Sequence, residues 1–299
     1  MSFIGPAGSR ELRRASFQVT KLLARSSPLV KRLRRIRSAT ELSSISVDFA
    51  VSVGIAFVDD RICAALSVYL LLIPRAAMLS LCVFRPTWEI KVPDRVDWIA
   101  AALSCCPIGT SLRALKEVAR ISPGDTVLIN GASGGLGVHQ IQIARALGGK
   151  PIAVTTSPFK GNILKSLGAE KVVVTKDLAY SSDVWRLTDK RGVDIAIDNV
   201  GLTLPETLRC MAQGGIVVVL GNVGGDAVPV PPGLLIGRRL RVSGSGMATL
   251  EDVRQSLAML QAGMIKAVIT ASLKFSEVAR AHAMIEARAV EGRVVLQGW

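Results

Sequence analysis

Histidine is scarce in this chain: His139 and His282 are the only two in 299 residues, which excludes chemistry that assembles a histidine cluster. The five cysteines form no C-x-x-C pair and two of them, Cys105 and Cys106, are adjacent, which excludes a zinc-finger array and a disulfide-knit scaffold. Such thiols are expected in a reducing compartment, here the cytoplasm. No secretory signal is expected either, since no apolar stretch follows a short basic start. In the most apolar region, residues 47–86, the longest uncharged run, Ile62 to Pro74, has only 13 residues and is stopped by Arg75. A spanning helix needs about 18 or more, so no membrane span is expected.

What the chain does have is apolar mass. Hydrophobic residues make up 49% and the mean hydropathy is +0.41, enough to bury a sizeable core and incompatible with a disordered chain. The net charge of +14 is unevenly placed. Residues 1–46 form a basic Arg/Ser-rich arm with ten Lys and Arg against Glu11 and Glu41, a net of +8 that leaves +6 for the rest. The arm reads as solvated, surface-binding or transit-type. No aromatic pattern interleaves its charges, so no nucleic-acid partner is expected.

After an apolar segment over residues 47–108 the text becomes regular. β-Branched runs begin at Thr126, Ile152, Val172, Val193, Ile216 and Leu240, spaced by 20 to 26 residues. Between them lie helical patterns such as Val138, Ile141, Ala144 and Leu147. Near-continuous apolar strands alternating with helices require a parallel sheet covered on both faces, and right-handed crossovers make it a doubly wound Rossmann sheet.

Directly after the first run comes Gly131-Ala132-Ser133-Gly134-Gly135-Leu136-Gly137, between a strand and a helix, the context a dinucleotide-binding loop requires. Gly134 would let the backbone approach a pyrophosphate, Gly137 would let helix pack on strand, and the N–H groups of Gly135 and Leu136 would face phosphates. Ala132 stands where the motif's first glycine usually is. The second strand ends Thr155-Thr156-Ser157, with Lys160 following and no acid before Glu170. Hydroxyls and a cation suit a 2′-phosphate, whereas a carboxylate would select a 2′-hydroxyl, so NADP(H) is expected over NAD(H).

The stretches "AALSCCPIGTSLRAL", "SPGDTVLINGASGGLG", "SLGAEKVV", "GVDIAIDNVG", "GGIVVVLGNVGG" and "EGRVVL" resemble the medium-chain dehydrogenase/reductases, notably the alcohol dehydrogenase-like, quinone and acryloyl-CoA reductases. The resemblance covers roughly residues 89–299. It implies a dinucleotide-binding domain over 109–265 and a C-terminal return over 266–299 to the catalytic domain. It also implies pyrophosphate held at Ser133 to Gly137, Thr155 at the adenosine-ribose position, Lys160 as the adenosine-side lysine, and loops 199–201 and 221–223, with Val200, Gly221 and Asn222, on the nicotinamide side. The activity implied is hydride transfer between nicotinamide and a small carbonyl, enone or alcohol. The family's GroES-like catalytic domain has no recognisable motif in residues 1–87, so that domain is expected to be degenerate or replaced, and a cofactor-binding remnant without turnover is the alternative. Of the family's catalytic zinc ligands only Cys106 has a counterpart, and zinc is not expected because one thiolate cannot hold it. His139 and His282 read as structural. The strand from Leu240 to Gly244, after Arg238 and Arg239, is expected at the sheet's edge, where family resemblance and an unpaired apolar strand both imply a homodimer.

Overall fold

Alternation along each strand decides which side chains face which layer. The computed structural model describes residues 90–223, 225 and 227–297, and the backbone of two strands, β1 (Ser52–Ile55) and β2 (Leu66–Tyr69). The arm 1–46 and the remainder of the apolar stretch up to residue 89 lie outside the described residues. All the described residues fall in one compact unit.

Strands β3 (Thr126–Asn130), β4 (Lys150–Thr155), β5 (Lys171–Val174), β6 (Val193–Asp198), β7 (Met211–Val219) and β8 (Arg241–Gly244) form a sheet in the order β5-β4-β3-β6-β7-β8. Every neighbouring pair is parallel. The connections carry helices α1 (Gly137–Ala146), α2 (Gly161–Ser166), α3 (Ser181–Leu187), α4 (Leu204–Arg209) and α5 (Pro232–Arg238), and α6 (Leu250–Gln261) follows β8. This is the expected doubly wound order, with the strand sequence reversing between β3 and β6.

The two faces have separate cores. Val127, Ile129, Ile195, Ile197, Ile216 and Val218 point toward Val138 and Ile141 of α1, while Leu128, Ala196 and Val217 point toward Val184, Leu204 and Leu208 of α3 and α4. Leu128 and Ile129 are adjacent and both fully buried on opposite faces, which a β-strand achieves by its period of two. Burying one such side chain stabilises by about 1.5–3 kcal/mol.

The largest shift from the apolar runs read in the sequence is at β7. β7 begins at Met211, not Ile216: Met211 pairs with Val193, Gly214 turns the chain at φ +76°, and pairing resumes at Ile216 opposite Ile195. Further upstream, a mainly helical stretch over 98–118 is α-helical at Trp98–Ala101 and Thr110–Leu112 and π-helical at Ser104–Gly109 and Arg113–Val118. It sends Leu103, Ile108, Leu112 and Leu115 into the α1 core.

A second sheet takes the C-terminal residues away from the first. β9 (Ile269–Lys274) and β10 (Arg293–Gln297), joined through α7 (Val278–Glu286), lie in the order β2-β1-β10-β9. The residues leading into β9 are tied to α1 by side chains: Gln142 exchanges two hydrogen bonds with the Lys266 backbone, 2.8 and 3.0 Å, and His139 Nε2 accepts the Val268 N–H at 3.1 Å.

Candidate cofactor-binding site

The glycine loop joins β3 to α1 at the point where strand order reverses. Gly131 adopts φ +65°, and the Ala132 N–H donates to Val154 O of β4 at 3.0 Å. At Gly137 a Cβ would sit 2.5 Å from the Ala132 Cα, so only glycine lets α1 start this close to the loop. Gly134 is exposed, and a Cβ there would meet only Gly131 O, at 3.3 Å. A ten-residue helix directs the positive end of its dipole at this loop.

Alongside runs a cleft of about 590 Å³. One wall is Ser133, Gly134 and Gly135 with Thr156, Ser157 and Lys160; the other comes from α7 and β10. Lys160, His282, Arg288 and Arg293 all line it, and no Asp or Glu does. Such a surface selects a polyanion. Arg293 sits against the loop: a Cβ on Gly135 would lie 2.7 Å from its Cζ. Lys160 Nζ donates to Val290 O at 2.8 Å and Arg288 O at 3.1 Å, and an ammonium with three donors keeps one for a phosphate.

The expected residues divide by position. Thr156 is exposed and Ser157 half-buried on the cleft wall. Thr155 lies behind that wall, 3% exposed, with its hydroxyl 3.2 Å from Ser133 Oγ and accepting the Ser157 N–H at 3.2 Å. Ala132 is buried beneath the loop, and Leu136 is half-buried just before α1. Val200, Gly221 and Asn222 are apart from the cleft lining, on the loops after β6 and β7. These loops interlock: the Val223 N–H donates to Val200 O at 2.9 Å, and a Cβ on Gly201 would lie 2.5 Å from Gly221 O.

His139 is buried, as a structural histidine should be. Desolvation lowers its pKa to about 4, and the positive Arg293 acts in the same direction. His282 is different: it is half-buried on the cleft wall. Arg288 and Arg293 were missed by the sequence reading, although "EGRVVL" contains one of them. Two side-chain oxygens, Thr110 Oγ1 and Ser245 Oγ, are buried with no hydrogen-bond partner among the described residues. Their segments adjoin, since a Cβ on Gly109 would meet the Ala248 Cβ at 2.8 Å. Neither lines the cleft, whose open glycine cradle and cationic walls fit a cofactor with phosphates.

Zinc does not fit the described donor set. Cys106 is buried in the π-helical turn with the Arg293 guanidinium 3.9 Å from its sulfur, and burial, then the neighbouring Cys106, pushes the Cys105 thiol up. Among the described residues no three His, Cys, Asp or Glu side chains converge. No described helix is long and apolar enough to cross a membrane.

Residues 135–262 match the zinc-binding dehydrogenase family model. The acryloyl-coenzyme A reductase of Sulfurisphaera tokodaii is 34% identical over 210 residues, 70% of this chain and 61% of that protein. Human quinone oxidoreductase is 30% identical, covering 69% of this chain and 64% of its own. A solved crotonyl-CoA carboxylase/reductase, AntE, in complex with NADP superposes with a TM-score of 0.62 at 27% identity, over 68% of this chain and 58% of that one. The chain thus spans about three fifths of the length of these relatives.

Proposed function

From a chain whose residues from about 89 onward belong to the medium-chain dehydrogenase/reductase family, we propose an NADPH-dependent reductase of conjugated carbonyl compounds. The observation that carries this reading is the acid-free cleft, with Lys160, His282, Arg288 and Arg293 around an open glycine loop. The N–H groups of Gly135 and Leu136 and the Arg293 guanidinium would hold the pyrophosphate. Thr156, Ser157 and Lys160 would take the 2′-phosphate, with Thr155 fixing the turn behind them through Ser133 and Ser157. Val200, Gly221 and Asn222 would flank the nicotinamide. When bound, NADPH supplies the hydride. The acryloyl, crotonyl and quinone groups in the relatives' names are conjugated carbonyls, whose oxygen gains negative charge as hydride is delivered and can be stabilised by hydrogen-bond donors. Zinc is left out of the proposal on the donor set around Cys106. A homodimer through β8 and a cytoplasmic location complete it.

Titration of the protein with NADPH and NADH against its tryptophan fluorescence tests the reading. A charge-assisted phosphate contact contributes about 1.5–3 kcal/mol, so NADPH should bind roughly ten- to a hundred-fold tighter. Lys160→Met should erase most of that difference, and equal affinities in the wild type would overturn it. Residues 1–87, which carry no motif of the family's catalytic domain, favour a second reading: a cofactor-binding protein without turnover. NADPH binding with no oxidation in the presence of acryloyl-CoA, crotonyl-CoA or a quinone would establish that one instead.

A further inference from the structure

We propose that Asp198, buried at the end of β6 and remote from solvent, is a positioning residue that sets the loops flanking the nicotinamide; the inference rests on the cofactor reading above. Asp198 is 0% exposed. Its Oδ1 accepts the backbone N–H of Val200 at 2.9 Å and of Gly201 at 2.8 Å, and the Thr203 hydroxyl at 3.1 Å. Its Oδ2 accepts the Thr207 hydroxyl at 2.9 Å. Its main-chain oxygen accepts the Leu220 N–H at 2.9 Å. One residue therefore fixes the loop after β6 and abuts the start of the loop after β7, and the two loops close on each other through Val200 and Val223.

The surrounding hydrogen bonds have one consistent direction. The Asn130 amide donates to Thr203 Oγ1 and, at 3.2 Å, to Tyr180 Oη. The Tyr180 hydroxyl, fully buried and 2.6 Å from Thr207 Oγ1, donates onward, because the Thr207 proton goes to Asp198. The donor chains that run through Thr203 and Thr207 end on the Asp198 carboxylate, which takes donors from two amides and two hydroxyls. A buried polar group is costly unless satisfied, and a network satisfied at each member is rigid. The same network reaches the glycine loop by a separate arm, where Asn130 Oδ1 accepts the Gly131 N–H at 2.9 Å. The pyrophosphate cradle and the nicotinamide loops are thus set by one buried cluster, but only the latter hang directly on Asp198. An asparagine at this position keeps one oxygen for the Val200 and Gly201 N–H groups but turns N–H donors toward the Thr203 and Thr207 hydroxyls that Oδ2 accepts, which weakens its hold on the loop.

The test compares two ligands on the full chain: NADPH, and 2′-phospho-ADP-ribose, which lacks the nicotinamide. In Asp198→Asn the affinity for NADPH should fall about tenfold while that for 2′-phospho-ADP-ribose changes less than about twofold. Amide hydrogen exchange at residues 199–201 and 221–223 should accelerate without cofactor present, and that at 133–137 should not. Thr207→Val, which removes a single donor from Oδ2, should show the same pattern more weakly and carries the comparison where Asp198→Asn does not fold. Equal weakening of both ligands, or unchanged exchange at 199–201, would overturn the inference and assign Asp198 to general stability. Wild-type protein that binds neither ligand would instead overturn the cofactor reading.

Discussion

Acidification should loosen this protein through one side chain, His139. Its imidazole is buried, with Nδ1 2.8 Å from Gly135 O and Nε2 accepting the Val268 N–H. That pattern requires the neutral ring protonated on Nδ1. A second proton on Nε2 would face the Val268 N–H, donor against donor, in a site already closed to water and near the Arg293 cation. The pKa is accordingly lowered from 6.5 to about 4. The unfolded chain binds a proton near pH 6.5 that the folded chain refuses until about pH 4, so stability is complete above 6.5 and falls as pH drops toward 4. Between pH 7 and 5 the loss should be about 2 kcal/mol, from 1.36 kcal/mol per pH unit of difference. Asp177, Glu206 and Glu277 are held below ordinary carboxylate values and change charge beneath this window. Urea unfolding at half-unit steps from pH 7 to 5 measures the slope, with His139→Gln as the control whose side chain does not titrate. A flat wild-type profile, or an equal slope in His139→Gln, would refute the reasoning. The consequence reaches the site, because this ring ties the helix behind the glycine loop to the segment entering β9.

Three further outcomes are expected. Gly135→Ala should displace Arg293, whose Cζ lies 2.7 Å from the added carbon, and weaken NADPH and NADH alike by about tenfold; isothermal titration checks this, with Gly134→Ala as the milder comparison. Light scattering should give a dimer for the wild type and a monomer for Val242→Lys, since Val242 is 42% exposed on the edge strand β8 and a lysine there discourages pairing; a dimer indifferent to the lysine would count against that interface. Elemental analysis of purified protein should find no stoichiometric zinc, and one tightly held zinc per chain would show that the donor set around Cys106 has been misread.

The sheet was legible because its signals are local. Apolar runs such as Val127 to Ile129 can only be doubly covered strands, and Gly137 is explained by a neighbour five residues away, Ala132. The cationic wall was not legible for the opposite reason. Arg288 and Arg293 meet Gly135 and Lys160 across more than 125 residues of sequence, and nothing local to "EGRVVL" says that its arginine faces a glycine loop. His282 sits on an ordinary amphipathic helix, and its cleft becomes visible only when α7 is placed. Asp198 did leave a trace: an acid closing an otherwise apolar strand, "VDIAID", must either reach solvent or collect donors.

Thr155 carries the argument about cofactor choice one step further. The sequence position that bears an acid in NAD-selective sites is occupied here by a hydroxyl, and the absence of negative charge is what the reading used. In the fold that hydroxyl turns inward to Ser133 and the Ser157 N–H, so its contribution is to shape the turn and to leave the strand end uncharged. On the proposed reading, selection falls to groups just beyond the strand, Thr156, Ser157 and Lys160. Lys160 is itself anchored by two carbonyls of the C-terminal segment. A substitution that shifts residues 288–290 should therefore alter the preference for NADPH without touching β4. Replacing Ala289 with proline, and comparing NADPH with NADH affinity, would distinguish this anchored lysine from one acting alone: an unchanged ratio in a folded variant would mean that the lysine needs no anchor.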